Sequence, residues 1–452
     1  MDDETIAALS TPVGQGAIAV VRVSGPETAG LLKKIISPFP KKFRSHSVFH
    51  GFVSDGQSRL DECLTVFFHA PRSYTGEDLA EISIHSNPFI IEEVLRLVWR
   101  SGARPALPGE FTYRAFRNGK LDLLQAEAVN DLIKANSRYH AQMEFSNLEG
   151  GLSALVKKIR DQLIRLGVKI ETVIEFQEDQ SLEEVRWEKE IAGAKSKLEK
   201  ILQKNSFNEL LNRGLRIAIA GKVNAGKSTL FNALLLQDRS IVSHLPGTTR
   251  DYITERIFIN GFPLQLSDMA GIQSRPGDEI EHQGIARSMA IIADSDAVIL
   301  VLDASCKLEP VDFEIYQKIK NKKRLIVANK MDMAGKKQFV QFIRAFPDET
   351  MCPLSAKRQT GLDAVTDFFK AMLRDLQSLS AELAVNSRQK ILLEKILASL
   401  RTVEAMMDRK AAAIELMAEE VRNAIRLIGE LTGQVGNAEI LKGIFANFCI
   451  GK

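Results

Sequence analysis

The sequence LRIAIAGKVNAGKSTLFNAL runs from Leu215 to Leu234 and decides the fold of the segment around it. Leu215–Ala220 is a short apolar run that predicts a strand, and Thr229–Leu234 has the composition of a helix. Between them, Gly221–Ser228 matches the pattern GxxxxGKS. A strand, this loop and a helix in that order are the context that identifies a phosphate-binding loop, or P-loop. The segment therefore predicts an α/β domain with a P-loop, a pattern that by itself also fits an ATPase or a chance match.

The P-loop predicts a site for nucleotide phosphates. Its glycines let backbone N–H groups approach a phosphate, and the helix that follows adds the positive end of its dipole. Lys227 is expected to reach the β- and γ-phosphates, and the Ser228 hydroxyl to bind Mg²⁺. Asn224 either helps to hold a monovalent cation through its amide oxygen or is only a structural residue of the loop. The predicted nucleotide-binding residues here are Asn224, Ala225, Gly226, Lys227, Ser228 and Thr229.

Two further motifs predict that the base is guanine. Asn329-Lys330-Met331-Asp332 follows a short apolar run, so it lies at the carboxyl end of a strand, where ligands bind in open α/β sheets. An Asp carboxylate there accepts both the N1–H and the exocyclic amine of guanine. Adenine has no such pair of donors and leaves the carboxylate unpaired. Ser355-Ala356-Lys357 is expected to support the base, and Asn329, Lys330 and Asp332 to bind it.

Between the P-loop and these motifs lie two candidate switch segments. Asp268-Met269-Ala270-Gly271 reads as the DxxG element, with Asp268 in the Mg²⁺ shell and the Gly271 amide next to the γ-phosphate. Met269 stands where Thr is usual, but Asp268 and Gly271, the two residues expected to act on Mg²⁺ and the γ-phosphate, are present. Gly247–Asp251, the sequence GTTRD, contains threonines whose hydroxyls can bind Mg²⁺ when GTP is present, so it is the expected first switch.

The residue after DxxG bears on hydrolysis. Many small GTPases have Gln there to orient the attacking water, but Ile272 cannot polarise water. Another group must therefore help, and three acids just downstream, Asp278, Glu279 and Glu281, are each suitable by chemistry alone. Each is equally well explained as a solvated acid at the start of a helix.

The composition is that of an ordinary globular protein with about three domains. Of 452 residues, 45% are hydrophobic and 26% are charged, and the formal net charge of +3 gives no global case for nucleic acid binding. The seven histidines are scattered, and the four cysteines (Cys63, Cys306, Cys352 and Cys449) show no zinc or disulfide spacing. With no apolar leader and no apolar run long enough for a bilayer, a cytoplasmic protein is expected.

Outside the P-loop domain the chain has two further kinds of hydrophobic pattern. Met1 to about Asn118 is predicted to be mixed strand and turn, with strands at 17–21 and 64–68 and a helix between Pro88 and Trp99. Apolar residues then recur at helical spacing before and after the P-loop domain. One stripe comprises Leu152, Leu155, Ile159, Leu163, Leu166, Ile170 and Val173; the others comprise Ile391, Leu392, Ile396, Leu400 and Val403, and Ile414, Met417, Val421, Ile425 and Ile428. We expect one discontinuous bundle, or alternatively two separate helical hairpins.

The motifs and both ends of the chain resemble the tRNA modification GTPases called MnmE or TrmE. The likeness covers the whole chain and is carried by the segments 5–8, 11–17, 22–26, 74–78, 108–112, 120–128 and 247–251 and by the terminal sequence FCIGK at 448–452. One departure is His85-Ser86-Asn87-Pro88, which replaces a glycine-rich stretch near Glu81.

The resemblance implies a fold of mixed α/β and α+β type. Residues 1–118 form an N-terminal mixed α+β domain that binds folate and dimerises. Residues 119–210 and 379–452 form a discontinuous helical bundle, the second part ending in the FCIGK tail. Residues 211–378 form the inserted Ras-like P-loop G domain.

The resemblance also implies the reaction and the partners. The family modifies carbon 5 of the wobble uridine of certain tRNAs to an aminomethyl or carboxymethylaminomethyl group, using GTP, Mg²⁺, K⁺ and 5-formyltetrahydrofolate or a related tetrahydrofolate. Potassium stimulates its GTP hydrolysis, which drives a conformational change. It forms a homodimer and, with the FAD-dependent protein MnmG (GidA), a heterotetramer; no membrane is involved.

Residue roles follow from the same resemblance. The implied folate-binding residues are Arg22, Glu81, Lys120 and Lys452. The implied K⁺ ligands are Asn224, Ser243, Leu245 and Thr248, and the implied Mg²⁺ ligands are Ser228 and Thr249. Ser243, Thr248 and Thr249 also join the GTP-binding residues. Among the three acids, Glu281 takes the position of the catalytic glutamate.

Cys449 in the tail is open to two interpretations. A thiolate can add to carbon 6 of a pyrimidine and activate carbon 5, which would make Cys449 a catalytic residue. It is equally well explained as a small thiol near the chain end.

Two other classes of GTPase share parts of this pattern. A ribosome-assembly GTPase of the Era or Der kind has the same G domain but needs an RNA-binding domain and has no FCIGK tail. A membrane-remodelling GTPase needs a lipid-binding tip, which neither terminus offers. The N-terminal motifs and the tail favour tRNA modification.

Overall fold

A computed structural model describes residues 4–14, 16–40, 44–135, 137–175, 187–237, 254–259, 262–268, 290–377, 383–407, 414–435 and 438–451. The chain divides into two compact units. The first unit comprises Met1–Lys134, Glu144–Glu199 and Asn386–Lys452, and the second comprises Ala135–Met143 and Lys200–Val385. The four-part division at 118, 210 and 378 stays a prediction.

The first unit begins with a seven-stranded sheet in the described residues. Its strands are β1 (Ile6–Leu9), β2 (Ile18–Ser24), β3 (Ile36–Ser37), β4 (Ser47–Ser54), β5 (Arg59–Phe68), β6 (Leu79–His85) and β7 (Arg104–Pro105). Their order in the sheet is β3-β4-β5-β6-β2-β1-β7, and the pairs are antiparallel except for β1 with β7. The expected strands near 17–21 and 64–68 are confirmed as parts of β2 and β5.

One face of this sheet is covered by apolar side chains. On β2, Ala19, Val21 and Val23 are buried, while the intervening Arg22 is only half-buried, which is the alternation of a strand with one covered face. The buried residues of the sheet pack against helices α1 (Thr28–Ile35) and α2 (Pro88–Arg100).

Helix α2 begins where the local sequence predicts it. The Asn87 side chain accepts hydrogen bonds from the N–H groups of Phe89 and Ile90, and Pro88 occupies the first turn, where its missing N–H costs nothing. This helix is therefore confirmed. The segment also contains α1 and α3 (Glu110–Arg117), which the interpretation as strand and turn missed.

Long helices follow the sheet and return after the P-loop domain. They are α4 (Leu123–Lys134), α5 (Arg138–Leu148), α6 (Gly151–Glu175), α7 (Glu188–Arg213), α12 (Ser387–Met407), α13 (Ile414–Thr432) and α14 (Ala438–Phe445). Gly167 of α6 faces α13 so closely that a Cβ there would lie 3.6 Å from Val421 Cγ1. Arg388 of α12 pairs with Glu127 of α4 at 2.6 Å. One discontinuous bundle is therefore confirmed, and two separate hairpins are wrong.

Some residues of the predicted apolar stripes are less buried than an apolar residue next to them in the sequence. Ile391 is 52% exposed and Leu393 is buried in its place. On α6, Val156 is buried and Leu155 only half-buried. In both cases the apolar residues adjoin in sequence, so the spacing alone does not decide which one faces the neighbouring helix.

The second unit is an α/β domain with a six-stranded sheet in the described residues. Its strands are β8 (Leu215–Ala220), β9 (Thr254–Ile259), β10 (Phe262–Asp268), β11 (Ala297–Asp303), β12 (Lys323–Asn329) and β13 (Met351–Pro353). Its helices include α8 (Lys227–Gln237), α9 (Pro310–Ile319), α10 (Lys336–Ala345) and α11 (Leu362–Gln377). The order is β13-β12-β11-β8-β10-β9, parallel except for β9 with β10.

The second unit also takes in a segment from much earlier in the chain. The Tyr139 ring lies 4.5 Å from the Phe262 ring, and Met143 is buried in the same apolar core. This explains why Ala135–Met143 groups with the P-loop domain.

No helix among the described residues combines the length and apolarity that crossing a bilayer requires.

Candidate functional site

The nucleotide motifs meet at one edge of the six-stranded sheet. Strand β8 ends at Ala220, just before the P-loop, and β12 ends at Asn329. Strand β10 ends at Asp268, whose backbone pairs with Ile219 of β8. Since these strands are parallel, their carboxyl ends lie on the same side of the sheet, which is the usual ligand-binding edge of such folds.

Close approaches fix the glycines of the P-loop. Gly221 and Gly226 have positive φ angles of 149° and 94°. A Cβ at Gly221 would overlap the Val301 carbonyl oxygen, and one at Gly226 would overlap the Asn329 side chain. Asn224 also has a positive φ of 63°, a conformation that Asn tolerates better than most residues. The loop therefore keeps its backbone open on the phosphate side.

Lys227 provides a positive charge inside this loop. Its side chain is largely buried, and its Nζ donates to the carbonyl oxygens of Gly221 and Lys222 at 2.9 Å each. Ser228 and Thr229, in the first turn of α8, are exposed. An ammonium group, a helix N-terminus and an open backbone together form a cradle suited to phosphate, and an exposed hydroxyl there suits Mg²⁺.

Asn329 joins three of the motifs. Its Nδ2 donates to the Ala225 carbonyl oxygen at 2.9 Å, and its Oδ1 accepts from the Ala356 N–H at 3.0 Å. The side chain is almost fully buried, so both bonds are shielded from water. The P-loop, the NKMD motif and the SAK motif are thus held together by one amide group.

Asp332, the predicted guanine-binding carboxylate, is held by neighbouring side chains. Ser355 Oγ donates to its Oδ1 at 2.6 Å, and Arg358 Nε lies 3.8 Å from its Oδ2. The Ser355 hydrogen bond is the main reason why the pKa of Asp332 lies below its ordinary value. The group is therefore a fixed, ionised acceptor. Lys357 follows in the same loop, and Arg358 was not among the predicted residues.

Three ion pairs at this edge, which involve two lysines, were missed by sequence reasoning. Asp303, the last residue of β11, pairs with Lys330 Nζ at 2.6 Å. Lys222 of the P-loop lies 3.1 Å from Glu309 Oε1 and 3.5 Å from Asp312 Oδ2. Burial alone would lower the pKa of Lys222, but these acids outweigh it and raise the pKa. An acid directly after an apolar strand was the available signal for Asp303.

Several predicted residues lie outside the described residues. They are Ser243, Leu245, Thr248, Thr249, Gly271, Asp278, Glu279, Glu281 and Lys452. For Asp268 the backbone is described but the side chain is not.

A second cluster in the first unit contains two of the predicted folate-binding residues. Arg22 and Glu81 are paired across β2 and β6, and Arg22 Nη2 and Nε donate to Glu81 Oε1 at 2.7 and 3.0 Å. Arg22 Nη1 donates to the Gly451 carbonyl oxygen at 3.2 Å, which brings the residue before Lys452 to this pair. Lys120 makes a different contact, donating to the Pro71 carbonyl oxygen at 3.1 Å.

Aromatic rings enclose the Arg22 guanidinium. Its Cζ lies 5.4 Å from the Tyr74 ring and 5.7 Å from the Phe111 ring. Burial raises the pKa of Tyr74, whose hydroxyl bonds to Thr112 at 2.8 Å. Tyr74 and Phe111 lie in two of the segments that carry the family resemblance, but the sequence did not indicate that their rings contact Arg22.

The FCIGK tail is held against the first unit at several points. Phe448 is buried in a cluster with Phe445, and the Cys449 carbonyl oxygen accepts from the Gly109 N–H at 3.3 Å. Ser10 Oγ donates to the Gly451 carbonyl oxygen at 3.1 Å. The Cys449 residue itself is exposed, which leaves it accessible to a ligand.

Comparison with known sequences assigns the chain to a family. The model for the MnmE helical domain matches residues 123–449, and the model for the GTP-binding protein TrmE N-terminus matches residues 5–120. The chain belongs to the MnmE (TrmE) family. It is 38% identical to the tRNA modification GTPase MnmE of Thermotoga maritima and 37% to that of Thermotoga petrophila, each over 99% of this chain and 100% of the relative. The MnmE of Aquifex aeolicus is 36% identical, with the same coverage.

Membership of the MnmE family confirms the predicted fold class and a GTP-hydrolysing enzyme. Among solved structures, Aquifex aeolicus Era bound to GDP and aluminium fluoride is 29% identical over 42% of this chain and 66% of that chain. The TM-score of that match is 0.28.

Proposed function

We propose that this MnmE-family chain uses GTP hydrolysis to support the carbon-5 aminomethyl or carboxymethylaminomethyl modification of the wobble uridine of certain tRNAs. The observation that carries the proposal is the FCIGK tail, whose Gly451 carbonyl is anchored on Arg22 beside Glu81. A GTPase that acted only as a binding switch has no need of an exposed cysteine two residues before a glycine that contacts a charged cluster. The full-length similarity to tRNA modification GTPases supports the same conclusion.

Guanine recognition falls to Asp332. Its ionised carboxylate accepts the N1–H and the exocyclic amine, while Ser355 fixes its orientation and Ala356 and Lys357 line the base. Asn329 keeps this loop next to the P-loop, where Lys227 neutralises phosphate charge. Adenine leaves Asp332 unpaired, so ATP is a poor substrate.

Two cations complete the phosphate site in this proposal. Ser228 and Thr249 hold Mg²⁺, with Asp268 in its shell and Gly271 next to the γ-phosphate. Asn224, Ser243, Leu245 and Thr248 hold K⁺, which supplies positive charge near the phosphates in place of an arginine finger. The exposed Ser228 and the left-handed backbone at Asn224 fit these roles. Glu281 orients the attacking water, because Ile272 cannot.

The folate site is proposed at Arg22, Glu81, Lys120 and Lys452. Arg and Lys side chains suit the carboxylates of 5-formyltetrahydrofolate, and a carboxylate suits the donor face of its pterin. The Arg22–Glu81 pair places one of each charge at the site. Cys449 is proposed to act on the uridine, since its neighbours in the tail are anchored while the residue itself stays exposed.

The proposed assembly is a homodimer that joins MnmG in a heterotetramer and acts on tRNA in the cytoplasm. Full-length similarity to tRNA modification GTPases supports tRNA as the substrate, while the homodimer, MnmG and the cytoplasm are proposed from the family resemblance.

Mass spectrometry of tRNA nucleosides tests the proposal. We expect the carbon-5 modified wobble uridine to vanish in cells that lack the gene and to return with wild type but not with Asp268→Ala or Cys449→Ser. Asp367→Asn, which removes an exposed carboxylate of α11, is the matched control and should restore the modification. Modified uridine that persists in the deletion strain would contradict the proposal and make ribosome assembly the leading function.

A further inference from the structure

The segment from Asp303 to Asp312, which links β11 to α9, contacts both halves of the nucleotide site. None of its residues has a role in the function proposed above. It will be called the linking segment. Its acidic residues bind two lysines that belong to the nucleotide motifs, Lys222 of the P-loop and Lys330 of NKMD.

The contact with Lys330 is the closer of the two. Asp303 Oδ2 lies 2.6 Å from Lys330 Nζ, and the Asp303 side chain is 10% exposed while that of Lys330 is 30% exposed. Burial by itself would raise the pKa of Asp303, but the Lys330 ammonium and hydrogen bonds from Ser305 hold it below its ordinary value. The Asp303 carboxylate is therefore an ionised acceptor that is largely shielded from solvent.

The linking segment is fixed at both of its ends, and an internal hydrogen bond orients its first carboxylate. The Ala304 N–H donates to the Asn329 carbonyl oxygen at 2.9 Å, which ties the segment to the backbone of NKMD. The Ser305 N–H donates to Asp303 Oδ1 at 2.9 Å, so the carboxylate has a defined orientation. At the other end, Glu309 and Asp312 hold Lys222 of the P-loop.

The backbone of Lys330 needs such support. Its φ is +63°, a left-handed conformation that a residue with a side chain adopts only when its surroundings impose it. Lys330 stands between Asn329, which contacts the P-loop, and Asp332, which faces the base. A change at Lys330 therefore alters the position of both neighbours.

We propose that Asp303 is a positioning residue of the guanine site, which fixes the NKMD backbone by holding Lys330. The inference rests on the proposed guanine-binding role of this site. Asp303 acts on nucleotide affinity through Lys330; base selectivity stays with Asp332.

The variant Asp303→Asn keeps the shape of the side chain and removes its charge. We expect GDP to bind about tenfold more weakly, through faster dissociation measured by stopped-flow with a fluorescent GDP analogue. The KM for GTP should rise by a similar factor with little change in kcat, because uniform binding is lost. The preference for GTP over XTP should not change, whereas Asp332→Asn should shift it toward XTP.

A double-mutant cycle separates this role from a general structural one. In a Lys330→Met background the partner of Asp303 is gone, so Asp303→Asn should add less than a twofold effect on GDP affinity. A tenfold loss that persists in that background would overturn the proposal, because Asp303 would then act by another route. An unchanged GDP affinity in the single variant would overturn it as well.

Two further variants complete the experiment. Asp303→Glu keeps the charge and should keep GDP affinity within about threefold of wild type. If Asp303→Asn does not fold, Asp303→Glu still tests the role of the charge. A loss of GDP affinity of tenfold or more in Asp303→Glu would overturn that role. Asp367→Asn, at an exposed ion pair of the same unit, should behave like wild type. If wild type itself fails to bind GDP, the proposed function fails and not only this inference.

Discussion

Single side chains in the second unit are held in place by the protein itself at the proposed guanine site. Ser355 orients Asp332 by a hydrogen bond, and both the nitrogen and the oxygen of the Asn329 amide form hydrogen bonds with protein backbone. Side chains held in this way lose little freedom on binding, which favours affinity.

Ser355→Ala is expected to change the pH dependence of GDP binding. The Ser355 hydroxyl lowers the pKa of Asp332, so its loss moves that pKa up toward the ordinary value. Binding requires the ionised carboxylate; as the pH is lowered, the affinity of the variant should therefore begin to fall at a higher pH than that of wild type. Titration with a fluorescent GDP analogue between about pH 4 and 7 measures this. If the GDP affinity of both proteins falls at the same pH, the proposed role of Ser355 is excluded. Thr366→Ala in α11, which removes a hydroxyl away from the site motifs, is the control.

Glu110 in the first unit is a buried residue whose charge matters for stability. Its side chain is 1% exposed and pairs with Arg104 at 2.5 Å and with Arg114 at 3.2 Å. Burial opposes ionisation, but Arg104 and the Leu107 N–H outweigh it and keep the pKa of Glu110 below its ordinary value. Because the folded pKa is lowered, the stabilisation is present above the ordinary pKa and is lost as the pH falls through the folded pKa.

Glu110→Gln should lower the free energy of unfolding by about 1–3 kcal/mol at pH 7, because it removes the buried carboxylate that Arg104 and Arg114 share. Arg114 keeps its other carboxylate partner, Glu77, at 2.8 Å, so its charge stays compensated. Denaturant unfolding followed by circular dichroism at pH 7 and pH 4 measures the change, and the difference between variant and wild type should shrink at the lower pH. Glu92→Gln, in an exposed pair with Arg96, is the control and should cost at most about 1 kcal/mol. Equal costs for the two variants would show that burial of Glu110 is unimportant.

At the scale of elements, the P-loop depends on close contact between two segments. The backbone of Gly226 passes so near Asn329 that a Cβ would overlap its side-chain nitrogen. The same nitrogen donates to the Ala225 carbonyl oxygen. The P-loop and the NKMD motif are therefore packed against each other, and a change in one displaces the other.

Gly226→Ala should abolish or strongly weaken binding of both GDP and GTP. The added Cβ overlaps Asn329, and the φ of +94° is unfavourable for Ala, so the loop must move. Isothermal titration calorimetry should show at least a hundredfold loss of affinity, about 2.7 kcal/mol or more. Gly335→Ala, where a Cβ meets nothing within 4 Å, should bind as wild type does. Wild-type affinity in the Gly226 variant would contradict the described packing.

At the scale of the whole molecule, the first unit joins residues from both ends of the chain. Ser10 and Arg22 bond to Gly451, and the buried Phe448 lies beside Phe445 on the same unit. Gly451 has a φ of +90°, and a Cβ there would overlap the Leu9 carbonyl oxygen. The tail can therefore follow this path only with Gly at that position.

Gly451→Ala should detach the end of the tail from Arg22. We expect weaker binding of 5-formyltetrahydrofolate and loss of the tRNA modification, while the kcat for GTP hydrolysis stays unchanged. Faster release of the last residues by carboxypeptidase gives a readout that does not depend on the proposed function. Gly443→Ala in α14, where a Cβ meets nothing, is the matched control. Wild-type rates of release in the Gly451 variant would contradict the anchoring.

Local sequence determined much of this protein. The strand, GKVNAGKS loop and helix, the NKMD motif after an apolar run, and the helical stripes predicted the fold class and the GTPase, because residues a few positions apart fix strand, helix and turn geometry. The family resemblance added roles for Arg22, Glu81 and Glu281. None of these inferences needed knowledge of how distant segments meet.

Tertiary structure alone decided the rest. The Asp303–Lys330 pair, the grouping of Tyr139 and Met143 with the P-loop domain, and the bond between Ser10 and Gly451 across 441 positions join residues with no common local pattern. Periodicity likewise gave each helix an apolar face without showing that Leu393, and not Ile391, is buried. Such contacts depend on which surfaces exclude water together, and that is settled only when the whole chain packs.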